Sequence, residues 1–394
     1  MRHSDKLPCA FLLGSGVSIP SGAPSTEMLT NELLGDDVTY ERDSRGIFRV
    51  TRSSSTAPTI ERDFPDLRRF FKALYTHTRK YYYGRLNPQG CFERTPHYED
   101  FAYLAIQLSE AIMHERDNPA VDAFTRELTH ELQISSDILQ GVANDAAEVI
   151  VDHVSARLQG LKPSPDHLAC MRQIVAQTKA GVPIITLNHD CLIETVLRQD
   201  GVRLNDMTQL REDGRRVVTV DLSSTGVNLF KLHGSIDWFR WHAAKMTSAD
   251  RPWTQWTGAW AGPPNSQNRW EVQGPPRPAL LVGRFNKELS YNSSPFIDLF
   301  AAARTALNSA SHLVVSGYSF GDKAVNTMIV DWMYGAAKGT RRLIVAHETP
   351  EVLQRAARGA IGNRWSAWEA QDVLRVLGKH LCAVTAEELW AAIA

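Results

Sequence analysis

Pro8-Cys9-Ala10-Phe11-Leu12-Leu13-Gly14-Ser15-Gly16-Val17-Ser18-Ile19-Pro20-Ser21-Gly22-Ala23-Pro24-Ser25-Thr26-Glu27 decides how the chain is read. Cys9 to Leu13 is a short apolar run of the length of a buried strand, and it stops at Gly14-Ser15-Gly16. Small and hydroxyl residues follow (Ser18, Ser21, Gly22), then Pro24, and a helical pattern over residues 26–35. A strand that enters a glycine turn and then a helix presents backbone N–H groups and the positive helix end to an anion. Gly14 and Gly16 let the main chain turn tightly and approach a pyrophosphate. The spacing differs from the usual G-x-G-x-x-G, so the same glycines also read as a plain steric turn.

Composition narrows the classes. A chain of 394 residues points to two or more subdomains, or to one α/β domain with large insertions. A net charge of −1 supplies no overall basic field for direct nucleic-acid binding. Cys9, Cys91, Cys170, Cys191 and Cys382 are odd in number and contain no C-x-x-C pair, which fits a reducing cytoplasm rather than a disulfide framework or a zinc ribbon. The thirteen histidines show no metal-ligand spacing, so no metal is expected. No apolar run is long enough to span a bilayer, and the N-terminal apolar stretch reads as a core strand rather than a signal peptide.

Further along, residues 36–63 are polar and read as an extended loop or hairpin. Leu67, Phe70, Phe71, Leu74 and Tyr75, then Phe101, Leu104, Ala105 and Leu108, then Ile138, Val142, Ala146, Val149 and Ile150 recur at helical spacing. Residues 64–180 are therefore read as a helical insertion domain. Within it, Thr78 to Arg85 mixes bases and aromatics and reads as a solvated helix end, and His97-Tyr98-Glu99-Asp100 as an acidic first turn. Strands are expected at Val182 to Leu187, Leu229 to Leu232, Ala279 to Val282, His312 to Ser316 and Arg342 to Ala346, with helices between the later ones. Residues 236–278, rich in Trp, Pro and Gly, read as an irregular second insertion. The fold class is α/β: a Rossmann-like parallel sheet with helices on both faces plus a large helical insertion.

Several of these strands end in polar residues: Gly14-Ser15-Gly16, Asn188-His189-Asp190, His233-Gly234-Ser235 and Gly317-Tyr318-Ser319. Ligands of open parallel sheets bind outside the carboxyl ends of the strands, so these four segments are expected to share one crevice. Asn188 and Asp190 suit a ribose hydroxyl or a carboxamide, or Asn188 caps the next helix. His233 suits a general base near neutral pH, or is structural. Gly317 and Ser319 suit a phosphate or ribose, or form another tight turn.

In their order, these segments resemble the Sir2 family. Its G-A-G-x-S-x-x-S-G-I-P segment, which holds NAD, is matched by Gly14, Gly16, Ser18, Ser21, Gly22 and Pro24; its T-x-N-x-D by Thr186, Asn188 and Asp190; its His-Gly by His233-Gly234; and its later G-T/Y-S by Gly317-Tyr318-Ser319. The resemblance implies an NAD-binding Rossmann-type domain at residues 1–35 and 181–394. It also implies NAD contacts from Gly14, Ser15, Gly16, Ser18, Ser21, Pro24, Asp190, Gly317 and Ser319, and catalysis by Asn188 and His233. Where protein deacylases of the family carry Asp-Phe-Arg this chain has Ser25-Thr26-Glu27, and no cysteine lies between Cys191 and Cys382 to form their zinc ribbon. Leu-Asn-His-Asp, Lys-Leu-His-Gly-Ser and Gly-Tyr-Ser-Phe-Gly-Asp are similar to bacterial anti-phage effectors that hydrolyse NAD. That similarity implies a homo-oligomer, by analogy paired with a HerA-type hexameric ATPase. A deacylase or ADP-ribosyltransferase, and a non-catalytic NAD or ADP-ribose sensor, are the alternatives.

Overall fold

The computed structural model describes residues 7–52, 59–62, 64–83, 95–112, 119–164, 166–178, 180–210, 216–243, 256–259, 270–272, 277–283, 291, 295–337 and 339–393. Its centre is a seven-stranded parallel sheet. In chain order the strands are β1 (Leu7–Leu13), β2 (Val182–Thr186), β3 (Leu204–Asn205), β4 (Val227–Lys231), β5 (Ala310–Ser316), β6 (Arg342–Ala346) and β7 (Leu374–Leu377). Their spatial order is β7-β6-β5-β1-β2-β4-β3.

The apolar runs are continuous because both faces of the sheet are covered. On β1, Ala10 and Leu12 enter one core with Ile185, Phe230, Val315 and Val345, beneath the helices Phe296–Leu307, Lys323–Tyr334 and Gly359–Ala370. Cys9, Phe11 and Leu13 enter the opposite core with Ile184, Leu229, Val314 and Ile344, against Ala169–Gln177, Leu192–Gln199 and Ala386–Ile393. A third core joins the helices Pro65–Tyr83, Tyr98–Ile112, Pro119–Leu132 and Ser136–Leu158 to the helix Thr26–Leu34 and to Tyr40 and Phe48. Among the described residues, no helix is long and apolar enough to cross a membrane.

Three expectations change. Residues 36–63 hold a three-stranded antiparallel sheet, with Thr39–Asp43 between Phe48–Thr51 and Thr59–Arg62. The Trp-rich stretch is also partly regular: Gly234–Ala243 pairs antiparallel with Trp256–Ala259 and with Trp270–Val272. The strand expected at Ala279 to Val282 is Pro278–Leu280, and it joins this antiparallel sheet instead of the central one. The seventh parallel strand is Leu374–Leu377, an edge strand whose single Arg375 interrupts its apolar pattern.

Register places the functional segments. Leu13 pairs with Thr186 on one side and Ser316 on the other, and Thr186 pairs with Lys231. Four strands therefore end at one level, at the point where the strand order reverses beside β1. Such a switch point leaves a crevice at the sheet's carboxyl edge.

Candidate functional site

The crevice is a cavity of about 330 Å³, near the lower end of the range for small-molecule sites. Of the candidate residues, Gly14, Ser15, Ser18, Pro24, Asn188, Asp190, His233, Gly317 and Ser319 line it. Gly16 and Ser21 do not. Gly16 is turned toward the β5 loop, and Ser21 Oγ meets His167 Nδ1 at 3.1 Å and accepts a bond from Ser164 N–H at 3.2 Å.

The glycine turn is built against the turn after β5. Gly14 N–H donates to Ser316 O and Gly16 N–H to Gly317 O, each at 3.0 Å, while Val17 N–H donates to Gly14 O at 3.1 Å. A Cβ on Gly14 would sit 2.4 Å from Gly317 O, and one on Gly16 2.7 Å from Gly317 Cα. Gly317 itself has φ +65°, where a side chain is disfavoured, and its Cβ would lie 2.5 Å from Val17 N. The glycines let two loops interlock, and the N–H groups of Gly14, Gly16 and Val17 are already engaged. This corrects the expectation that the whole loop offers its N–H groups to a pyrophosphate.

Ser18, Asn188 and Asp190 form one buried chain. Ser18 Oγ donates to Asp190 Oδ2 at 2.7 Å and accepts from Asn188 Nδ2 at 3.0 Å. Thr186 Oγ1 accepts from Asn188 N–H, and Asp190 Oδ1 from Leu192 N–H, each at 3.1 Å. Asn188 makes no cap; Asp190 carries the local turn instead. Asn188 is only 3% exposed, and its Oδ1 has no hydrogen-bond partner among the described residues. A buried carbonyl oxygen in a cavity wall that lacks a donor is an acceptor prepared for a ligand or a water.

Beneath this chain, Lys231 Nζ donates to Asp190 O and meets Glu194 Oε1 at 2.7 Å. Burial works against a charge on Lys231, but Glu194 outweighs it and holds the ammonium protonated well above its usual range. Burial pushes the nearby Cys191 thiol up to about 12, which leaves it inert as a nucleophile.

His233 stands on the other wall. Its backbone is fixed by Leu281 N–H, which donates to His233 O at 2.8 Å, so the displaced strand Pro278–Leu280 is what seats this residue. Gly234 follows with φ +82°, and a Cβ there would lie 1.9 Å from Ala279 O, which explains the His-Gly pair. His233 Nε2 lies 3.1 Å from Asp322 Oδ2. Tyr291 OH donates to the same oxygen at 3.4 Å, and Asp322 Oδ1 accepts from Val325 N–H at 3.1 Å. Burial, then the charge of Asp322, pushes the Tyr291 and Tyr318 hydroxyls well above their ordinary range, so both remain donors.

Sequence reasoning gave several lining residues no role in the site. Asp322 reads locally as a helix cap, and it is one, for Lys323–Tyr334. His189 also lines the cavity, with its ring 6.2 Å from that of His233. His97, Tyr98 and Glu99 line the facing wall with Val154 and Leu158, so the helical residues close the cavity. Their acidic first turn was legible; its destination was not.

The description of the family model that matches residues 182–371 is SIR2-like domain. That span contains Asn188, Asp190, His233, Gly317 and Ser319, and the match supports the Sir2-like family and an NAD-related enzyme domain. No curated protein matches the chain. Among solved structures, the chain is similar to a mutant Sir2 homologue in complex with ADP-ribose, at 12% identity and a TM-score of 0.35, covering 98% of this chain and 91% of that one.

Proposed function

We propose that the protein is an NAD+ glycohydrolase, cleaving NAD+ to nicotinamide and ADP-ribose. One observation carries this reading: Asn188, whose buried Oδ1 has no hydrogen-bond partner among the described residues, lines the same cavity as Asp190 and His233. The residues fit the substrate. Asp190 retains lone pairs for the carboxamide of nicotinamide, and Asn188 Oδ1 accepts from a ribose hydroxyl or the attacking water. Nothing in the chain needs to activate the leaving group, because nicotinamide departs from a cation. The C–N electron pair goes to the ring nitrogen and neutralises it, leaving an oxocarbenium-like ribose. Water then bonds to the anomeric carbon and gives its proton to His233, which returns it to solvent.

Hydrolysis is favoured over acyl transfer by the segment after Pro24. Ser25 Oγ accepts from Met28 N–H at 3.1 Å and caps the helix Thr26–Leu34, in the place where the deacylases carry Asp-Phe-Arg. The biological role proposed with this chemistry is NAD depletion in anti-phage defence, by a cytoplasmic homo-oligomer paired with a HerA-type ATPase. The test is nicotinamide release from NAD+ by the purified protein, alone and with such a partner. Wild type is expected to turn over, and Asn188→Ala and His233→Ala to lose at least about 100-fold. Full activity in either variant, or an inactive wild type under every condition, overturns the reading.

A further inference from the structure

We propose that Asp322 is a positioning residue that holds His233 in the tautomer with its proton on Nε2, so that Nδ1 is the basic nitrogen. The proposal rests on the hydrolase reading above.

Both side chains are buried, His233 at 4% and Asp322 at 8% exposure, and the Nε2 to Oδ2 distance is 3.1 Å. Apart from His233 Nε2, which faces it, the Asp322 carboxylate accepts from the Tyr291 hydroxyl and from Val325 N–H. These donors favour an ionised carboxylate, and an ionised carboxylate accepts only. The nitrogen that faces it must therefore carry the proton. When Nδ1 takes a second proton from water, the same carboxylate stabilises the imidazolium, as an acid orients the histidine of hydrolytic triads. The turn that delivers Asp322 is held in shape for this. Gly317 and Phe320 both have positive φ, and Tyr318 and Asn326 brace the turn through Asp322 N–H and Phe320 O. The other titratable groups around the imidazole are Tyr291, Tyr318, His189 and, on the cavity wall, Asp190, Glu99 and His97.

Asp322→Asn separates the two duties of this residue. Asn caps helices as well as Asp does, so the start of Lys323–Tyr334 survives. Its single oxygen is then taken by Val325 N–H, which leaves the amide NH2 facing His233 Nε2. The imidazole must accept there and move its proton to Nδ1, which blocks the base. The experiment combines NAD+ turnover across pH with 15N spectra of histidine-labelled protein, for wild type and Asp322→Asn. The expected result is a kcat loss of about 10²–10⁴-fold with NAD+ affinity little changed, a lost acid limb in the pH profile, and a switch from Nε2–H to Nδ1–H. Turnover within about threefold of wild type overturns the proposal, and so does a loss of turnover without the tautomer switch. A wild type that never releases nicotinamide is the failure of the hydrolase reading. The spectra then decide the tautomer alone: Nε2–H in wild type with a switch in the variant upholds it, and any other pattern overturns it.

Discussion

Three glycine-to-alanine variants separate the two costs that the interlocked loops impose. Gly22 has φ +86° and, among the described residues, nothing within 4 Å of the place a methyl group would take, so Gly22→Ala carries only the conformational cost. That is about 1–2 kcal/mol. Gly14 is the opposite case. Its φ of −102° suits any residue, but its Cβ meets Gly317 O at 2.4 Å and Tyr318 Cα at 2.7 Å. Ordinary contact begins near 3.4 Å, so one backbone must retreat by about 1 Å. Overpacking of this kind costs about 1–3 kcal/mol, and backbone on both sides places Gly14→Ala at the upper end. Gly317→Ala carries both terms, for a loss of about 2–5 kcal/mol. Gly14→Ala and Gly317→Ala also push apart two walls of the cavity, so NAD+ affinity falls in both, whereas Gly22→Ala leaves it unchanged. Urea unfolding and calorimetric NAD+ titration measure the two effects. Gly14→Ala within about 0.5 kcal/mol of wild type, or Gly317→Ala no less stable than Gly22→Ala, would refute the interlock.

Other outcomes follow from the same geometry. Lys231→Met leaves the buried Glu194 unpaired and loosens the Asp190 carbonyl; it is expected to cost about 3–5 kcal/mol, and Lys231→Met with Glu194→Leu to recover most of it in urea titrations. Ser18→Ala removes the hydroxyl that joins Asp190 to Asn188, and a fall in kcat/KM of at least about 10-fold with a stability loss of only about 1 kcal/mol is expected by kinetics and denaturation. Burial holds the His167 imidazole below the ordinary histidine value, against the opposing charge of Asp190, and its Nε2 has no partner among the described residues. A histidine depressed in the folded state contributes stability that is complete above the unfolded value of about 6.5 and is lost as pH falls from there through the folded value. His167→Gln is therefore expected to flatten the stability profile on the acid side of about 6.5, measured by denaturation across pH.

Much of this was legible because local pattern and tertiary role coincide. The strands of the central sheet are short, mostly apolar and bounded by glycine or polar residues, and Arg342–Ala346 and the helix Lys323–Tyr334 fall where their spacing puts them. The carboxyl-edge rule brought Asn188, Asp190, His233 and Gly317 to one cavity. What remained hidden depends on partners distant in sequence. A short apolar run marks residues 279–282 as extended, but only pairing reveals that Pro278–Leu280 runs antiparallel beside His233. Asp322 presents itself as a cap, and its second partner lies 89 residues away. Glycines 14 and 16 read as space for a ligand, and the space is filled by the turn at Gly317. His97 and Glu99 look like any acidic helix start until the third core carries that helix end to the cavity.

The central claim is tested most directly by the fate of NAD+ in 18O-labelled water, with and without an acetyl-lysine peptide. The account predicts one nicotinamide and one ADP-ribose per NAD+ consumed, with the label on the anomeric oxygen and no acyl-ADP-ribose when the peptide is present. Peptide-dependent consumption that leaves an acyl group on the ribose, or tight NAD+ binding with no nicotinamide released, would contradict it.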